Sequence, residues 1–133
     1  MSRKTFLTLV AIVATAVGGF ALVAPATLLE TVKHAQPSNA ANVMARTVGI
    51  LLLTVGILNF LVRAHDDSPT LRAVLVANLV LQLGILPIDP IAYAHGVYAT
   101  LGSFAPNTLL HVLLAAGFIY QLARLPVADL SRR

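Results

Sequence analysis

Four uncharged apolar runs, Thr5–Ala24, Thr47–Val62, Ala73–Ile88 and Pro106–Ala123, fill most of this 133-residue chain. A hydrocarbon core of about 30 Å takes roughly 20 helical residues to cross, at about 1.5 Å each. With their flanking residues the runs approach or meet that length, and spans are predicted at about 5–24, 45–63, 71–88 and 106–124. The expected fold is all-α. One membrane domain, residues 1–133, forms an integral four-helix bundle with both termini cytoplasmic and two long outer loops.

Composition removes the soluble alternatives. Charged residues make up 11% of the chain and hydrophobic residues 58%, whereas a soluble domain carries about 25% charged residues. Helices apolar on nearly every side suit lipid and not water. The chain has no Cys, which excludes disulfides, thiol redox pairs, thiolate metal sites and a cysteine nucleophile. Nine Lys and Arg outnumber five Asp and Glu. The cations flank the apolar runs singly or in pairs, which marks membrane topology and not nucleic-acid binding. Three Tyr and no Trp leave only a thin aromatic belt.

The first run resembles a signal peptide, with Arg3 and Lys4 before it and Ala24-Pro25-Ala26 after it. Its roughly 20 apolar residues exceed a signal core of about 7–15, so a retained helix is expected. Placing the termini inside puts seven cations there: Arg3, Lys4, Arg63, Arg72, Arg124, Arg132 and Arg133. Only Lys33 and Arg46 fall outside. This bias predicts cytoplasmic termini in a plasma membrane of the bacterial inner-membrane type.

Loops 25–44 and 87–105 are long, and the polar turn at 62–71 is short. A short interfacial helix is expected at Thr27–Ala35, ended by Pro37-Ser38-Asn39, with Asn39 or Asn42 capping the second span. Pro87 and Pro90 are expected to bend the end of the third. Small residues four apart, such as Ala14/Gly18 and Ala45/Gly49, favour close helix approach, either within the chain or between copies. Helices two and four share a faint repeat at an offset of 61, including Gly56/Gly117 and Arg63/Arg124.

Polar residues inside the spans carry the functional argument, because lipid tolerates them poorly. Asn78, Gln82 and Asp89 lie on one stripe of the third span. They either bond between helices or face a ligand. Arg46 either snorkels to the interface or turns inward to hold an anion, carbonyl or headgroup. His111 is either packed or ligand-facing, and Asn59 is expected to contact another helix. Under the assigned topology Glu30, His34, Arg46, Asp89, His95, Asn107 and His111 share the outer end. That arrangement suits a polar vestibule for an amphipathic ligand, with Arg46, Asn78, Gln82, His34 and Asn107 binding and His111, Asp89 and Glu30 as catalytic candidates. No His-x-x-x-His or Glu-x-x-His pair is present, so no metal or other cofactor is expected.

Ala45, Arg46 and Gly49, followed by Thr54, Gly56, Asn59 and Arg63, resemble the second helix of the DoxX-like group of small four-helix membrane proteins. The resemblance implies the same four-span fold. It assigns Arg46 to a ligand or partner site, in a group with relatives tied to membrane quinone or thiol oxidation. The lack of Cys departs from any thiol relay.

Three functions fit these observations. The first is binding or processing of a quinone, isoprenoid or lipid-type molecule. The second is an accessory or assembly subunit with no chemistry, bound to a partner protein or to copies of itself. The third is an oligomeric transporter. The expected partners are the bilayer and a lipophilic small molecule, with no nucleic acid.

Overall fold

The computed structural model describes residues 1–125. Among them the order is α1 (Arg3–Val23), α2 (Pro25–Thr31), α3 (Asn39–Val62), α4 (Pro69–Ile85), α5 (Ile88–Ala94), a 3-10 turn (Leu101–Ser103) and α6 (Ala105–Ala123), with no strands. Four helical segments, Arg3–Val23, Asn39–Val62, Pro69–Ala94 and Ala105–Ala123, are long and apolar enough to cross a membrane.

Local chemistry sets the boundaries. Ser2, Ser38 and Ser68 each precede a long helix, and each hydroxyl accepts the N–H three residues on, at 3.1 Å. Such caps satisfy donors that a helix start leaves unpaired. Ser38, and not Asn39 or Asn42, is therefore the cap of the second span, and α3 begins six residues ahead of the expected 45. Pro25, Pro69 and Pro106 sit in first turns, where the missing N–H costs nothing.

The expected interfacial helix exists as α2 but stops at Thr31, well before Pro37. His34 adopts φ +49°, and the Ala35 N–H closes back on the Leu29 carbonyl at 3.0 Å. His34 thus takes the left-handed conformation that Gly usually supplies after a helix. Pro87 and Pro90 act as expected, since α4 breaks at Leu86–Pro87 and resumes as α5.

The helices pack as two antiparallel pairs, α1 with α3 and α4 with α6. In the first pair Gly18 and Gly49 meet face to face. A Cβ on either would stand 2.8 Å from the other's carbonyl oxygen. Gly56 lies against Thr15 and the Ala11 carbonyl. The small-residue face of α3 is thus used inside the chain. The two pairs join around Phe6, Leu7 and Val10 of α1, Leu71 and Leu75 of α4, Phe118 of α6, and Leu125. Phe6 meets Phe118 edge-on at 4.9 Å between ring centres. Gly117 leaves room for the Phe6 ring.

This apolar plug lies near the start of α1 and the finish of α6, so both ends of the described chain share one end of the molecule, here the terminal end. Arg3 there pairs with Asp67 and donates to the His65 carbonyl, tying the α3–α4 turn to α1. Arg132 and Arg133, counted above for topology, lie outside the described residues. The opposite, loop end holds α2, α5 and the segment 95–104.

Candidate site at the loop end

Three polar levels descend from the loop end into the apolar interior. Asp89 forms the uppermost. It sits in the first turn of α5, 4% exposed, where the break after α4 aims it inward. Lys33, just beyond α2, donates Nζ to both carboxylate oxygens at 3.0 and 3.1 Å. The Tyr98 hydroxyl donates at 3.1 Å and the Asn107 amide at 2.6 Å. One carboxylate therefore gathers α5, α6, the α2–α3 connection and the loop before α6.

Burial, the Asp89 charge and the hydrogen bond to it push the Tyr98 phenol up to about 12. The phenol stays a neutral donor through the physiological range. Tyr98 and Tyr93 also pack on Phe104, with ring centres 6.0 and 5.2 Å away, forming an aromatic lid on the loop segment.

Gln82 of α4 and His111 of α6 form the second level. His111 stands one turn below Asn107 on the same face. Its Nδ1 lies 2.6 Å from Gln82 Oε1. A carbonyl oxygen only accepts, so Nδ1 carries the proton. In its neutral form the ring presents an Nε2 lone pair, and this nitrogen has no hydrogen-bond partner among the described residues. The ring is half-buried.

At the third level Asn78 accepts from Asn59 Nδ2 at 2.9 Å, linking α4 to α3. Asn59 is fully buried and Asn78 is 4% exposed. Each amide also donates to the carbonyl four residues before it. Below this pair lie Leu75, Phe118 and Leu7, where the polar track ends.

The structure thus brings together Asp89, Asn107, Gln82 and His111, with Asn78 one level deeper. Glu30, His34, His95 and Arg46 are exposed and make no side-chain hydrogen bond or ion pair among the described residues. Arg46 lies outside the cluster because Gly49, three residues on, occupies the α1-facing side of α3. Of the two readings of Arg46, its exposed side chain fits the snorkelling one. Asp89 differs from its expected role as well. Its lone pairs are taken by three donors, which makes it an anchor and not a free base.

Lys33 and Tyr98 are site residues that sequence reasoning did not select. A signal existed for Lys33. It is one of only two cations, with Arg46, at the loop end of the chain, and a buried Asp at that end needs a cation. Among the described residues no three metal-ligating side chains converge.

These features define a polytopic helical protein of membrane-spanning type with an internal polar ladder running from one end. No family model, no curated protein and no solved structure matches the chain.

Proposed function

We propose that the chain binds an amphipathic small molecule of quinone, isoprenoid or lipid type at the loop end, in a four-helix bundle whose termini are cytoplasmic. The observation that carries this reading is the Gln82–His111 pair. Asp89 above it is saturated by its donors, while His111 keeps an Nε2 with no hydrogen-bond partner among the described residues, and one level deeper Asn59 keeps a buried Oδ1 without one. A half-buried acceptor between apolar helices suits a hydroxyl or protonated headgroup whose tail lies along the helices. His111 is the group able to take a proton from such a ligand. The resemblance of α3 to DoxX-like proteins belongs with this proposal, although its Arg46 does not.

Native mass spectrometry in mild detergent, followed by organic extraction, tests it. One small amphipathic molecule per chain is expected, lost in His111→Ala and kept in Arg46→Ala. A bare chain, or a molecule held equally by both variants, would refute the proposal.

The saturated Asp89 favours a second reading, an accessory subunit in which the ladder only fastens helices. Stoichiometric co-purification of a membrane protein with a bare His111 would support it. A transporter ranks third, since the apolar plug closes the polar track within one chain.

A further inference from the structure

At the terminal end, remote from the ladder, Ser2, Arg3, Gln121, Arg124 and Leu125 line a recess of about 290 Å³. Its polar character is that of a donor set. Gln121 is 4% exposed, yet its Nε2 has no hydrogen-bond partner among the described residues. The Nε of Arg3 is likewise buried and without a partner among the described residues. Native interiors leave few buried polar atoms unsatisfied, and two unsatisfied donors at one recess call for an acceptor. Asp67 offsets the charge of Arg3. Arg124 gives one guanidinium N–H to the Tyr120 hydroxyl at 3.0 Å and has others to offer. The rim is therefore cationic and the wall, at Leu125, apolar.

From this donor set we infer that the recess is an anion site for a phosphate ester. Guanidinium forks match the oxygens of a phosphate with paired N–H bonds. The recess lies where α1 begins and α6 finishes, the level at which membrane-spanning helices meet the headgroup layer. The N-terminus of α1 adds the positive end of a 21-residue helix dipole. A lipid headgroup and a free phosphate share this chemistry. Nothing in the inference depends on the ligand proposed for the loop end.

The test is native mass spectrometry of the full chain in mild detergent. Phosphatidylglycerol, phosphatidylcholine and inorganic phosphate are each titrated alone, and phosphate is also added as a competitor. One phosphatidylglycerol per chain is expected, bound more tightly than phosphatidylcholine. Arg124→Gln should weaken it about tenfold, the loss of one charged hydrogen bond. Gln121→Leu removes a buried unpaired amide, so this variant should fold at least as well as the parent while also binding more weakly. Phosphate that binds alone and displaces the lipid identifies a free-phosphate site. Lipid binding that phosphate leaves untouched identifies a headgroup site. The inference is overturned if neither ligand binds one to one, or if both variants bind phosphatidylglycerol as tightly as the parent.

Discussion

The α1–α3 pair and the α4–α6 pair face one problem with different atoms. In lipid there is no hydrophobic drive to bring apolar helices together, so packing and hydrogen bonds must do it. The first pair uses proximity, with Gly18, Gly49 and Gly56 letting two backbones touch. The second pair uses polar contacts, Gln82 with His111 and, through α5, Asp89 with Asn107. A glycine seam has no exchangeable group to offer a ligand. A polar ladder does, and the uncommitted imidazole sits in the second pair. The contrast teaches that one half of the chain is held by backbone proximity and the other by polar groups.

Breaking the seam should have the largest effect. Gly49→Val drives side-chain atoms into the Gly18 carbonyl and the Leu22 amide, both backbone. A loss of about 3 kcal/mol is expected, from overpacking that cannot relax by a rotamer change. Thermal unfolding in detergent, followed by circular dichroism, measures it. Asp89→Ala should rank next. It leaves the Lys33 ammonium without its carboxylate, and Tyr98 and Asn107 without an acceptor. A loss of about 2 kcal/mol is expected, below the full cost of breaking a buried pair because Lys33 remains partly exposed. The double variant Gln82→Leu, His111→Leu should change stability by less than about 1 kcal/mol, since interhelical hydrogen bonds in membranes contribute about 0.6 each. A large loss there would show the ladder to be as much a brace as the seam.

Alkaline unfolding sharpens the comparison further. The folded Tyr98 phenol titrates near 12, above its ordinary value of 10. Its contribution is therefore complete below about pH 10 and lost as pH rises toward 12. The melting temperature of the parent should fall more steeply over that window than that of Tyr98→Phe. The smallest effect is expected at His34, which holds φ +49°. His34→Gly should gain about 0.5 kcal/mol by relieving the left-handed backbone, read as a slight rise in melting temperature with ligand binding unchanged.

The four membrane-crossing helices were legible in the sequence because lipid imposes a length and a polarity that few residues can disguise. The pair Asn78 and Gln82 was legible for the same reason, since helical spacing alone puts them on one face, whereas Asp89 is placed by the break after α4. Partner choice was not legible. Asn78 finds Asn59 on α3, while Gln82, one turn away, finds His111 on α6. That split depends on where α4 crosses its neighbours, which periodicity does not encode. Arg46 misled because a cation at a helix start looks the same whether it turns in or out. Only the glycine contacts of Gly49 and Gly56 fix the rotation of α3. Lys33 was missed because its position follows from the early ending of α2 at Thr31 and the left-handed turn at His34, a backbone event with no glycine to announce it.

The apolar plug also acts as a ruler. Phe118 stands seven residues beyond His111 on α6, about 10 Å of helical rise. Under the proposed function, a ligand tail running downward from the imidazole would meet Leu7, Leu75 and Phe118 at that depth. Anything longer must turn sideways and leave between the helix pairs into the surrounding lipid. Tail length would therefore decide whether a guest is enclosed by the protein or shared with the bilayer.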